Sequence, residues 1–286
     1  MAARVTLREV RRHPFRINPV EKDVGRDMFG YRVMRPLSTY LTWLFLAARV
    51  SANQVTVLQM AVGVAGAAAV AWGDLWFQVA GLILVYLGFL LDNCDGEIAR
   101  LTGEVSVTGQ YLDTFCHHTV STCLFTVPGV VAWRYSGRVE TLLLGFMAGL
   151  AAQRVDLSLA LAQALKAIRK PLDQQYSYYR RNLPAGPTDL VDDLQGQSKK
   201  SEAAIRRLVY GVFSYPGVMH VLLFTVCLDR LTTWVLPTAR GVAWVSLSLG
   251  YGVLLPLRRA VTLRSIVRSR LADRLFLDGS SERGTP

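Results

Sequence analysis

Six long apolar stretches divide the 286-residue chain, and they constrain its fold more than any other feature. A helix rises ~1.5 Å per residue, so each stretch is about long enough to cross a hydrocarbon core of ~30 Å. With 51% hydrophobic residues, the chain is also too apolar for an ordinary soluble domain. The pattern predicts an all-α integral membrane protein with six transmembrane helices. The predicted spans are 55–72, 75–91, 111–133, 141–165, 208–228 and 234–256.

A shorter apolar segment, residues 37–50, precedes the first span. It is too short to cross a bilayer, and we expect an amphipathic helix that lies along the membrane interface. The sequence thus predicts a basic N-terminal arm (1–36), a six-helix membrane domain (37–257) and a basic tail (258–286). A polar loop, residues 166–207, interrupts the membrane domain.

The distribution of lysine and arginine predicts the orientation of these spans. If both termini are cytoplasmic, 26 of these residues flank the spans on the cytoplasmic side and only four on the other side. Cytoplasmic flanks carry such an excess in membrane proteins. We therefore expect a multi-pass protein of the plasma or inner membrane with cytoplasmic termini.

The formal charge of +11 would also suit a nucleic-acid-binding protein. The basic residues flank the spans, however, and do not cluster with aromatic residues on a soluble module. Attraction to anionic lipid headgroups is the simpler explanation of the charge. We expect membrane lipids as partners and no nucleic acid.

Acidic residues lie at the end of the second apolar stretch and at the beginning of the third. Asp92 and Asp95 share one face of a helix, and Asp113 and His117 share a face of the next. An ionised carboxylate at membrane depth is costly, so it persists mainly beside a polar cavity, a metal or an ion path. Two such helices would bring three carboxylates and an imidazole together, and hard cations such as Mg²⁺ prefer oxygen ligands. The sequence predicts a metal site for a phosphate-containing substrate, at the cytoplasmic face.

The same residues carry a resemblance to a known family. The segment Asp92-x2-Asp95-Gly96-x2-Ala99-Arg100-x8-Gly109-x3-Asp113 resembles the hallmark of the CDP-alcohol phosphotransferases, D-x2-D-G-x2-A-R-x8-G-x3-D-x3-D. Every fixed position but the last agrees. Arg35-Pro36-Leu37-Ser38 and the segment 51–56 also resemble the family's entry into its first membrane helix.

This resemblance implies a reaction and a set of ligands. The donor is a CDP-alcohol, with CDP-diacylglycerol favoured. A hydroxyl of a small polar alcohol or a lipid alcohol attacks the phosphorus that carries the donor alcohol, and CMP leaves. Mg²⁺ is the expected cofactor, and relatives are often homodimers. Asn53, Thr56 and Ser106 occupy positions that resemble nucleotide contacts in relatives.

Several residues gain a physical role from this chemistry. Gly96 and Gly109 have no side chain, which lets a nucleotide or a neighbouring backbone approach, and Ala99 is small for a related reason. Arg100 offers a fixed fork of donors to phosphate oxygens. Arg154, in the fourth span, could bind an anionic group of the acceptor or could pair with Asp156 for structural reasons.

His117 stands where the family has a fourth aspartate, which the resemblance assigns as the base that deprotonates the acceptor. An imidazole is the commonest general base at neutral pH, so the substitution is compatible with catalysis. If the position must instead supply an anionic metal ligand, a nitrogen would weaken Mg²⁺ binding and favour a softer ion such as Mn²⁺.

Three functions remain open from the sequence. The first is a membrane enzyme of phospholipid biosynthesis that transfers a phosphoalcohol group. The second is a relative that binds CDP-lipid without turnover because His117 replaces the base. The third is an ion-coupled transporter, which would place polar residues on several spans. The acidic residues are instead concentrated on two, and this favours the enzyme.

Overall fold

The computed structural model describes residues 6–12, 33–153, 212–213 and 215–269. These ranges contain helices and no strand, which confirms the predicted all-α integral membrane class. In chain order the helices are α1 (Leu7–Arg12), α2 (Arg35–Ala47), α3 (Ala52–Ala71), α4 (Leu75–Thr102), α5 (Val107–Ser136), α6 (Val139–Ala152), α7 (Tyr215–Val235) and α8 (Val242–Ser269), with a 3-10 turn at Pro237–Ala239.

Five helices of the described ranges are long and apolar enough to cross a membrane. They are α3, α4, α5, α7 and α8, and they correspond to five of the six predicted spans. The predicted fourth span, 141–165, begins as α6, which has 14 residues. The rest of that span lies outside the described residues, as does the loop 166–207. The described residues therefore contain five helices that are long and apolar enough to span a membrane and one shorter apolar helix.

Helix α4 continues well past the predicted end of its span at residue 91. It has 28 residues, or about 42 Å, because the polar turns from Asp92 to Arg100 extend the same helix. Gly103 ends it with a φ of +73°, and Ser106 begins α5 by accepting a hydrogen bond from the Gly109 amide at 3.0 Å. This short turn sets the polar end of α4 beside the first turns of α5.

Helices α3 and α4 form an antiparallel pair with one continuous register, which we call the α3–α4 seam. A turn of three residues, 72–74, joins the helices. Near that turn the backbones meet at glycines, since a Cβ on Gly81 would lie 2.6 Å from the carbonyl oxygen of Gly66. Gly88 lies opposite Gly63 further along, and polar side chains face each other at the other end. Small residues thus permit the close approach that membrane helices need.

Helix α2 is amphipathic, as the sequence predicts, and it packs against α4. Its buried face is polar, with Ser38, Thr39 and Thr42 below 3% exposure, whereas its exposed face carries Leu37, Tyr40, Trp43 and Leu44. Soluble proteins bury the apolar face of such a helix. The reversed arrangement suits a helix whose outer side contacts lipid at the interface.

Candidate active site

The first feature of the site is a trio of side chains, Asp92, Asp113 and His117, contributed by α4 and α5. His117 Nε2 lies 3.1 Å from Asp92 Oδ1 and 3.3 Å from Asp113 Oδ1. One potential ligand atom from each residue lies within 4.8 Å of the other two. All three side chains are partly exposed, so a ligand can reach them. This donor set of two carboxylates and one imidazole suits a divalent ion, and the nitrogen admits softer ions than Mg²⁺.

Asp95 lies beside the trio but is bound differently. It is 7% exposed, and the hydroxyl of Thr56 on α3 donates to its Oδ2 at 2.6 Å. Its Oδ1 accepts from the backbone amide of Gly96 at 2.5 Å. Both carboxylate oxygens therefore already have donors, and Asp95 is not one of the three residues whose ligand atoms converge. Thr56, a predicted nucleotide contact, lies buried behind this carboxylate.

Three other predicted nucleotide contacts do come together. A Cβ placed on Gly109 would lie 3.2 Å from Ser106 Oγ and 3.3 Å from Asn53 Oδ1. The missing side chain of Gly109 thus leaves a space that these two polar atoms border. Asn53 and Ser106 are both exposed, so the space opens to solvent. Such a space admits a polar ligand close to the α5 backbone.

Gly96 and Arg100 form a second small group one turn apart on α4. A Cβ on Gly96 would lie 3.0 Å from a terminal nitrogen of Arg100. The guanidinium therefore folds back over Gly96, where a larger residue would displace it. Ala99 is partly buried next to Arg100. Arg154, the predicted acceptor contact, lies outside the described residues.

Two polar residues of the site are absent from the predicted set. Gln59 of α3 is fully buried, and its Nε2 donates to Asp92 Oδ1 at 2.7 Å. Glu97 of α4 is also fully buried and accepts from Ser38 at 2.9 Å and Thr42 at 2.8 Å. A signal was available for both, since a glutamine inside an apolar run and a carboxylate at the end of a span each need a buried partner.

Glu97 also pairs with Arg35, at 3.4 Å. Together with the hydrogen bonds from Ser38 and Thr42, this ion pair attaches α2 to the side of α4 that faces away from α3. The polar end of α4 is thus held on two sides, by Thr56 and Gln59 of α3 and by the α2 residues. A carboxylate-bearing helix end fixed in this way can keep its ligands in one arrangement.

The chain was compared with protein families and with curated proteins. Residues 49–185 match the family model for CDP-alcohol phosphatidyltransferase. This segment is a CDP-alcohol phosphatidyltransferase domain. The finding confirms the resemblance, and the matched segment contains the trio and α3 to α6. None of the curated proteins matches the chain.

The CDP-alcohol phosphatidyltransferases are transferases, and the domain implies transfer of a phosphoalcohol group from a CDP-alcohol to an alcohol acceptor. The family is generally dependent on divalent metals, and the trio offers this domain a possible metal site. The long apolar helices, three of them within the matched segment, make this a membrane protein.

Proposed function

We propose that the protein is a metal-dependent enzyme of phospholipid biosynthesis that transfers a phosphatidyl group from CDP-diacylglycerol to a hydroxyl acceptor and releases CMP. The convergence of Asp92, Asp113 and His117 within the CDP-alcohol phosphatidyltransferase domain is the observation that carries this proposal. The acceptor is a polar alcohol or a lipid alcohol. The protein acts as a homodimer in the plasma or inner membrane, with its site at the cytoplasmic face, an orientation that the distribution of lysine and arginine supports.

The site residues divide into three tasks. Asp92, Asp95 and Asp113 would hold the cation, Mg²⁺ or Mn²⁺. Asp95 lies outside the converging trio and already accepts hydrogen bonds from Thr56 and Gly96, so it would contribute a remaining lone pair of its carboxylate. A bound divalent ion would neutralise charge on the pyrophosphate of the donor. Asn53, Ser106 and Gly109 border the nucleotide, while Gly96, Ala99, Arg100 and Thr56 complete its surroundings. Arg154 binds an anionic group of the acceptor.

His117 removes the proton from the acceptor hydroxyl. The acceptor oxygen forms a new bond to the phosphorus that carries the donor alcohol. The bond from that phosphorus to the bridging oxygen of the pyrophosphate breaks, and CMP leaves with the electron pair. Nε2 of His117 lies within hydrogen-bonding distance of Asp92 and Asp113, which would orient the imidazole in the metal-free protein. A cation on these carboxylates would release Nε2 to accept the proton of the acceptor hydroxyl.

The test is CMP release by the purified full-length protein in detergent. CDP-diacylglycerol would be supplied with Mg²⁺ or Mn²⁺ and a pool of polyol and phosphopolyol acceptors. We expect CMP only when metal and acceptor are both present. Asp113→Asn should abolish release, whereas Asp74→Asn is a matched control, since Asp74 is exposed and makes no capping hydrogen bond.

Three other outcomes would redirect the proposal. Metal-dependent nucleotide binding without CMP release from any donor would identify a relative that binds CDP-lipid without turnover. CMP released only from a CDP-linked soluble alcohol with a lipid acceptor would reverse the assignment of donor and acceptor. Neither nucleotide binding nor CMP, with metal-dependent ion flux in vesicles, would identify a transporter.

A further inference from the structure

Gln59 is a fully buried polar residue that the proposed mechanism does not use. It lies on α3 three residues after Thr56, so both side chains face the same side of that helix. Its amide nitrogen donates to Asp92 Oδ1 at 2.7 Å, the shortest hydrogen bond that Asp92 accepts from a described side chain. The residue therefore contacts the candidate metal site from behind, through Asp92.

The seam places this contact in a fixed register. Thr56 and Gln59 run along α3 in the opposite direction to Asp95 and Asp92 along α4. Each donor on α3 thus meets one carboxylate on α4 at the same three-residue spacing. A shift of either helix by one residue would break both hydrogen bonds together, because neighbouring residues on a helix point about 100° apart.

The orientation of the Asp92 carboxylate depends on such donors. The terminal torsion of an aspartate has a broad minimum, so backbone and rotamer preferences alone do not fix the plane of its oxygens. Gln59 Nε2 and His117 Nε2 both lie within 3.1 Å of Oδ1. Among the described residues, no hydrogen-bond donor contacts Oδ2. Gln59 therefore holds Oδ1 from the α3 side, opposite the contact that His117 makes from α5.

We propose that Gln59 is a positioning residue that holds the Asp92 carboxylate in the orientation that binds the divalent ion. This inference rests on the proposed metal-dependent function and adds a residue outside the family motif. Groups that orient a ligand from behind typically change metal affinity by about 10- to 100-fold when they are removed.

Gln78 of α4 provides a matched control. It is also a fully buried glutamine, but it lies at the opposite end of α4 from the trio. Its Oε1 accepts from Arg230 at 3.4 Å. Each glutamine has one amide atom bonded to a described side chain and one buried amide atom without a described partner. Replacement by leucine thus removes a similar buried amide in both cases, and only one of them touches a metal ligand.

The experiment is a titration of the purified full-length protein with Mn²⁺, followed by electron paramagnetic resonance of the free ion. We expect Gln59→Leu to raise the Kd for Mn²⁺ by about 10- to 100-fold and Gln78→Leu to leave it within about twofold. If Gln59→Leu fails to fold, Gln59→Met takes its place, because methionine has an unbranched side chain of similar length. We expect the same rise in the Kd for Mn²⁺. Thermal unfolding of each variant verifies the fold.

Two results would overturn the inference. One is a folded Gln59 variant that binds Mn²⁺ as tightly as the wild type. The other is a wild-type protein that binds no Mn²⁺. Because the titration needs no substrate, its result does not depend on whether the proposed transferase reaction occurs. A wild type that binds Mn²⁺ in a Gln59-dependent manner but releases no CMP would support the inference and contradict the proposed reaction.

Discussion

The two halves of the α3–α4 seam are built from different contacts within one register. Near the turn at 72–74 the helices touch through glycine backbones, at Gly66 and Gly81. At the other end the contacts are hydrogen bonds, from Thr56 to Asp95 and from Gln59 to Asp92. The glycine half leaves almost no freedom in the distance between the helices. The polar half can therefore hold reactive side chains without also having to hold the helices together.

Substitutions in the two halves of the seam should therefore have different effects on folding and on ligand binding. A change in the glycine half should affect folding and activity together, because the register of both halves depends on it. A change in the polar half should affect ligand binding more than folding.

We expect the largest effect from Gly81→Leu. Even a Cβ at this position would lie 2.6 Å from both the Gly66 carbonyl oxygen and the Val70 amide nitrogen, and these backbone atoms cannot move without separating the helices. The variant should yield little folded protein by size-exclusion chromatography in detergent. Ala80→Leu is the matched control, because Ala80 is the exposed neighbour on the same helix. Equal yields of the two variants would contradict the role of the glycine half.

The second prediction extends the comparison to the opposite side of α4. Glu97→Ala should lower the free energy of unfolding by about 3–5 kcal/mol, since it removes a buried carboxylate that pairs with Arg35 and accepts from two hydroxyls. The measurement is thermal unfolding in detergent together with protease cleavage within α2. Glu97→Gln keeps an acceptor and should lose less. A wild-type unfolding temperature in both variants would show that α2 is not held by this residue.

The third prediction tests the polar half directly. Thr56→Val preserves the shape of the side chain but removes the donor to buried Asp95, and an acceptor left unsatisfied in this way costs about 1–3 kcal/mol. Thr225→Val is the control, because that buried hydroxyl donates only to a backbone carbonyl of its own helix. Thr56→Ser should restore most of the unfolding temperature. Equal losses from the two valine variants would mean that the Asp95 contact contributes nothing specific.

The smallest effect on stability is expected from His117→Asp, which should instead alter the pH dependence of CMP release. The ordinary pKa of a carboxyl group is about 4, against about 6.5 for an imidazole. If residue 117 is the base, the rate of the variant should persist to lower pH, because a base with a lower pKa stays unprotonated there. His117→Asn should lose turnover. An acid limb that is the same in wild type and His117→Asp would reject the base assignment.

Much of the site could be predicted from helical spacing alone. Asp92, Asp113 and His117 come together because the two segments are helices joined by a short turn, and both properties can be read from the sequence. The resemblance to the family supplied the expected nucleotide contacts, Gly109 within the motif and Asn53 and Ser106 outside it, and the structure places these three side by side. Periodicity is sufficient where partners lie on one helix or on two consecutive helices.

The remaining features depend on partners that spacing does not reveal. Gln59 and Glu97 are single polar residues whose meaning comes from a hydrogen bond to another helix, 33 residues away for Gln59 and 55 to 62 residues away for Glu97. Helix α4 also extends beyond its predicted span, because the apolar run ends at residue 91 whereas the helix continues to Thr102. Hydropathy identifies the part of a helix that is suited to contact lipid, and the helix can continue beyond that part in polar turns.

The attachment of α2 also sets a distance. Its outer face carries tyrosine, tryptophan and leucine side chains suited to the headgroup layer, and its inner face is bonded to Glu97, two residues from Asp95. If α2 lies along the interface, its bonds to this turn of α4 fix the position of the bundle along the membrane normal. We expect an interfacial α2 to keep the carboxylates at a constant height relative to the bilayer surface.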